Sequence, residues 1–71
     1  MGIRDILKKN LRDYRRDAGL SQEELADAAG LHRTYVSGVE RGVRNPTVEV
    51  LDKIAKPLNI PTWKLLDDGK D

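Results

Sequence analysis

Four side chains near the middle of the chain, Arg33, Thr34, Tyr35 and Ser37, carry the most specific chemistry in the sequence. On a helical wheel at ~100° per residue, residues 33–41 turn Val36 and Val39 to one side. Thr34, Ser37, Gly38 and Arg41 fall opposite, with Arg33 and Tyr35 on the two shoulders. That outer face offers donors, acceptors and a methyl but no large apolar group, which is what the floor of a major groove requires. An arginine can bond guanine O6 and N7 together, and a threonine methyl can touch a thymine methyl. Tyr35 offers either a base-proximal contact or a hydroxyl for a phosphate. Arg41, Arg44 and Asn45 are placed to hold the phosphate backbone, and Arg44 alternatively to reach a neighbouring groove. Gln22, at the start of an earlier helix, sets a neutral amide beside unpaired backbone N–H groups, where a phosphate oxygen is stabilised. Gly38 inside a helix costs up to ~1 kcal/mol relative to alanine. Its presence implies either fewer base contacts or a backbone that comes close to DNA.

Other chemistries lack their residues. There is one histidine and no cysteine, so neither a disulfide framework nor a zinc site is expected. His32 precedes its helix without a catalytic partner and is read as facing phosphate or solvent. No nucleophile–base pair, metal-ligand cluster or glycine-rich phosphate loop is present, so no enzyme activity, cofactor or small-molecule ligand is expected. No apolar run approaches the length needed to cross a bilayer, and the charged start MGIRDILKK has no apolar h-region. A cytoplasmic protein without a membrane partner is expected.

The net charge of +1 hides an uneven distribution. Residues 1–19 carry six Lys/Arg against three Asp, and residues 20–30 carry three acids and no base. Residues 31–45 carry three Arg and one Glu, Glu40. If Glu40 is buried against an arginine, the exposed part of that segment is wholly basic, and local sign decides phosphate contact.

The elements that must position these groups are short helices. With 71 residues, no Phe and three aromatics, the core has to be built from Leu, Val, Ile and Ala. Helix one is expected over residues 4–18, with Ile3, Leu7, Leu11, Tyr14 and Ala18 as its apolar stripe and Gly19 as a left-handed cap. Ser21 and Glu24 have the spacing of a capping box, which starts helix two at residues 22–29; Gly30 ends it. Small Ala26 lets the next helix cross closely. Helix three follows over residues 33–41, and two crossed helices on a tight turn containing Gly make a helix-turn-helix over residues 22–41. Pro46 then turns the chain and Thr47 caps helix four, residues 48–58, with Val48, Leu51, Ile54, Ala55 and Leu58 on one face and Pro57 breaking its last turn. A short fifth helix is expected at residues 62–67, before a frayed tail. The whole is an all-α, compact five-helix arrangement, read as one domain over residues 1–71.

The residues Gln22, Ala26, Gly30, Val36 and Val39 match the helix-turn-helix pattern of Cro- and phage-repressor-like (XRE-type) DNA-binding domains. The resemblance extends to Leu11, Arg15, the run GLSQ at 19–22, the run ERG at 40–42 and the run NPT at 45–47, covering roughly residues 5–67. Within that family, LHRTYVSGVERGVRNPT most resembles the controller proteins of restriction–modification systems. The resemblance implies a lambda-repressor-like fold and a backbone phosphate contact at Gln22. It also implies an ion pair between Arg15, oddly placed beside an apolar stripe, and Glu40.

Ile60, Trp63, Leu65 and Leu66 are too many large apolar groups for so short a terminal element. Some fill the core and the rest are expected to form a two-fold interface, with Trp63 as core filler the competing possibility. The resulting expectation is a homodimer on palindromic double-stranded DNA, acting on a promoter by blocking or recruiting RNA polymerase. With the chain ending soon after the fifth helix, no effector domain is expected and concentration-coupled dimerisation is the simplest control. The alternatives are the antitoxin of a toxin–antitoxin pair and, from another class, a protein-bridging coactivator module whose third helix does not touch DNA.

Overall fold

Each helix starts and stops where its local chemistry changes. In the computed structural model, which describes residues 2–69, α1 spans Ile3–Asp17, α2 Gln22–Ala29, α3 Arg33–Glu40 and α4 Val48–Leu58. Before α2, the Ser21 hydroxyl accepts from the Glu24 N–H at 3.0 Å while the Glu24 carboxylate accepts from the Ser21 N–H at 2.9 Å, so the capping box is complete. The Thr47 hydroxyl does the same one-sidedly for α4, accepting from the Val50 N–H at 3.2 Å. After α1 the chain passes through Gly19 at φ +73°, which lets the Leu20 N–H reach back to the Arg15 carbonyl at 3.1 Å. Without a Cβ, that left-handed step carries little strain. Pro57 lies in the last turn of α4, and the helix ends one residue later at Leu58, capped by Asn59.

The fifth element differs from expectation. Thr62–Leu66 is a 3-10 turn instead of an α-helix. It begins on Pro61 and closes i to i+3, with the Lys64 N–H on the Pro61 carbonyl at 3.0 Å. Five residues are too few to repay α-helical nucleation, and the tighter helix suits short pieces. The turn is pinned to α1 by Asn10. Its single amide nitrogen donates to the carbonyls of Lys64, Leu65 and Asp67 at 3.3, 3.0 and 2.7 Å. Nothing in the periodicity of α1 marks Asn10 for that task. The expected frayed tail falls partly on Lys70 and Asp71, outside the described residues.

Leu7 and Leu11 of α1, Leu25 and Ala26 of α2, Val36 and Val39 of α3, and Leu51, Ile54, Ala55 and Leu58 of α4 form one core. Four apolar assignments need correction, and one of them, Ala18, is the exposed cap that follows α1 rather than part of its buried stripe. Ile3 and Val48, at the first positions of α1 and α4, are exposed, because each apolar stripe has run past the end of the core; Val50 packs there instead of Val48. Leu65 is 0 % exposed and completes the core, so it is interior and has no surface for a second copy. Trp63, two residues earlier, points outward and is 60 % exposed.

The Ser21 N–H holds the Glu24 carboxyl below the ordinary glutamate range. A group with a depressed folded pKa contributes stability above its unfolded value, about 4.3 for glutamate, and that contribution is lost as pH falls through the lower folded value. Replacing Ser21→Ala should lower unfolding free energy at neutral pH by about 0.5–2 kcal/mol in denaturant titration. An unchanged midpoint, with a Glu24 carboxyl titrating at its ordinary value in the wild type, would remove the capping box from the forces that start α2.

Candidate nucleic-acid interface

The candidate surface is set by how α3 is held. Val36 and Val39 are buried, fixing the rotation of the helix about its own axis. Its far end is held by Glu40, which is 4 % exposed. Arg15 of α1 grips that carboxylate with one edge of its guanidinium, Nε donating to Oε2 at 2.6 Å and Nη2 to Oε1 at 3.0 Å. Its third arm, Nη1, donates to the Leu20 carbonyl at 2.9 Å. Gln22 adds a fourth bond, its amide donating to Glu40 Oε1 at 3.2 Å. One junction therefore ties the end of α1, the start of α2 and the end of α3. The bonded carboxylate raises the Arg15 pKa above its ordinary value, so the arginine stays charged.

Glu40 is thereby satisfied internally, and the exposed charges of residues 31–45 are Arg33, Arg41 and Arg44. Arg33 and Thr34 are exposed at the N-terminal end of α3, while Tyr35 and Ser37 are half-buried. His32 stands before the helix without a side-chain capping bond. Arg41 is exposed just past the helix, and Asn45 is exposed beside a shallow groove of about 170 Å³ that Ile3, Pro46 and Leu66 also line. Gln22 is half-buried and turned inward. One of its two amide N–H groups is engaged by Glu40, which leaves the other for any contact outside the protein.

Gly38 lies elsewhere than the wheel suggests. It is buried, covered by the loop that follows the helix. The N–H groups of Val43 and Arg44 both donate to the Gly38 carbonyl, at 2.9 and 3.2 Å. The Arg44 stem lies where a side chain at 38 would begin, and its guanidinium carbon stands 5.8 Å from the centre of the Tyr35 ring. The missing side chain thus makes room for the protein's own loop, a role the wheel does not suggest. The signal that could have found it is the pairing of a mid-helix glycine with an arginine six residues later.

Comparison with known proteins places this geometry. Residues 11–62 match the helix-turn-helix family profile, which includes every element from α2 to α4. The chain belongs to the XRE-type helix-turn-helix DNA-binding family. Among its XRE-type relatives is control protein C.SmaI of Serratia marcescens, 52% identical over 66 residues that make up 93% of this chain and 79% of that one. Control protein C.BamHI of Bacillus amyloliquefaciens is 41% identical over 66 residues, 92% of this chain and 82% of its own. The crystal structure of the restriction–modification controller protein C.AhdI from Aeromonas hydrophila superposes with a TM-score of 0.84 at 44% identity, covering 87% of this chain and 90% of that one. The homologues are helix-turn-helix transcriptional regulators and controller proteins, and the all-α architecture is theirs.

The junction generates a stability prediction. Arg15→Ala would strand the buried Glu40 carboxylate without its partner, at a cost of about 3–5 kcal/mol. For a domain of this size that is a fall in melting temperature on the order of 12 °C or more. Replacing both partners, Arg15→Met with Glu40→Leu, should recover much of the loss because no charge is left unpaired. A single-variant loss below about 1 kcal/mol would mean the pair behaves like an exposed one.

Proposed function

We infer that this chain is a transcriptional regulator of the restriction–modification controller type that binds a palindromic operator as a homodimer, laying α3 in the major groove. The observation that carries it is the exposure of Arg33 and Thr34 at the N-terminal end of a helix whose underside, Val36 and Val39, is locked in the core. Base-reading residues of a helix-turn-helix cluster at that end. Arg33 is assigned to a guanine edge and Thr34 to a thymine methyl, with Tyr35 and Ser37 base-proximal. Gln22, through its remaining amide N–H, and Arg41, Arg44 and Asn45 hold the backbone on either side. The family and the controller proteins among the relatives support this reading.

Two copies suit the spacing of the grooves. The molecule measures 32 × 24 × 21 Å and has one such helix, whereas successive major grooves on one face of the duplex are about 34–36 Å apart. The surface assigned to the two-fold contact is Trp63 and Leu66, which are exposed, with half-buried Ile60 beside them. Lys64 reaches over the Trp63 ring at 5.5 Å, leaving its other face for a partner. The chain works as one DNA-binding unit and performs no chemistry. It acts in the cytoplasm by occupying a promoter and so blocking or recruiting RNA polymerase, with protein concentration setting occupancy through dimerisation.

Arg33→Ala should weaken binding to the selected operator by about 1–3 kcal/mol while changing non-specific binding far less. The measurement is a random-oligonucleotide selection followed by titration of the winning duplex and a scrambled one. Equal loss on both would refute a base-reading role for Arg33, and a selection that yields no preferred duplex would sink the regulator reading. Trp63→Ala touches little of the core and should move sedimentation toward monomer at micromolar concentration. A wild type already monomeric there discards the interface.

A further inference from the structure

Arg44 is a loop residue, yet it is held from three directions. Its N–H donates to the Gly38 carbonyl at 3.2 Å, its guanidinium faces the Tyr35 ring at 5.8 Å, and its stem lies against the bare Cα of Gly38. A Cβ built on Gly38 would stand 2.5 Å from Arg44 Cγ. Cγ is the near end of the side chain, so turning Arg44 about its Cα–Cβ bond is the most direct relief for a methyl at 38. That rotation swings the guanidinium away from Tyr35. The other close atoms, Arg44 Cβ at 3.5 Å and Val43 Cγ2 at 3.6 Å, are at ordinary contact distance and need not move. The clash therefore belongs to the arginine's reach and hardly to the loop backbone.

We propose that Gly38 and Tyr35 are positioning residues that preset the Arg44 guanidinium on the flank of α3, so that a loop arginine meets DNA already aimed. The proposal rests on the reading of Arg44 as a DNA contact and adds how that contact is organised. An arginine ordered before binding loses less side-chain entropy when it engages, which is the general benefit of preorganisation. A glycine at 38 is what this costs: it weakens the helix, since alanine is the better helix former there. Tyr35 acquires two separable parts, a ring that holds Arg44 and a hydroxyl that remains available to DNA.

The test is a double-mutant cycle with Gly38→Ala and Arg44→Ala in the full chain, read by operator affinity, by the slope of log K against log salt, and by NMR of the free protein. In the wild type the Arg44 δ-protons should carry an upfield ring-current shift from Tyr35, and Gly38→Ala should abolish it. Arg44→Ala should weaken operator binding on the order of tenfold and lower the salt slope by about 1 per protomer. Gly38→Ala should produce most of that loss alone and add nothing in the Arg44→Ala background, where the alanine fits. The Gly38→Ala variant should itself keep a cooperative melt and the wild-type NMR fingerprint away from residues 35–44, which excludes misfolding as the cause of its loss. If Arg44→Ala is impaired while Gly38→Ala binds with wild-type affinity and slope, or if the two losses add, the positioning role is overturned and the Arg44 contact stands. If Arg44→Ala itself binds as wild type, the Arg44 contact falls and the positioning role with it.

Discussion

A single buried carboxylate organises this molecule. Glu40 receives bonds from Arg15 and Gln22, and those residues sit on the other two helices that could let α3 drift. Without the junction, the C-terminal end of α3, an eight-residue helix whose rotation is set by buried Val36 and Val39, would lack its tie to α1 and α2. Short helices are marginal in isolation, so its orientation must come from tertiary contacts. Apolar packing fixes the depth of α3. The bidentate arginine–carboxylate pair adds a directional constraint that valines cannot supply, since guanidinium and carboxylate meet only in a narrow set of orientations. Pairs of this sort contribute little net stability compared with an apolar replacement. What this one supplies is a defined angle between α1, α2 and α3.

That division of labour explains which features are legible in the sequence. Capping signals are local: Ser21 with Glu24, Thr47 ahead of its helix, and Gly30 at a helix end each act within a few residues. Element boundaries accordingly fall within one residue of where composition places them. The apolar stripes are legible for the same reason in their middle turns, and misleading at their ends. Ile3 and Val48 keep the period yet stand outside the core, because periodicity does not record where the facing helix stops. The partition between Leu65 and Trp63 is likewise a tertiary fact. In a five-residue turn there is too little period to say which large side chain faces in. The carbonyls that Asn10 gathers are set by where that turn docks, which no local pattern encodes.

The candidate surface shows the same split. That Arg33 and Thr34 stand at the front of α3 follows from their spacing against Val36 and Val39. That Gly38 is a seat for Arg44 does not, because it depends on the loop folding back over the helix it has just left. Gln22 is a mixed case. Its place at the start of α2 is local, but the inward turn of its amide is set by Glu40, eighteen residues further along the chain.

The placement of acids completes the electrostatic picture. A net charge of +1 would suggest weak attraction to a polyanion if the charges were evenly spread. Here Glu24 is bonded to the start of α2, where the helix dipole already favours a negative charge. Asp13 and Asp52 are each paired with a lysine one turn away, and Glu40 is inside the protein. The one acid within α3 itself is thus the one held by Arg15. A cation of α1 has been drawn inward to neutralise it, leaving Arg33, Arg41 and Arg44 as the charges that α3 and its following loop present to solvent. The field next to α3 is set by what the fold removes from the surface as much as by what it leaves there. An inventory of charge along the chain cannot distinguish the two until Glu40 is known to be buried.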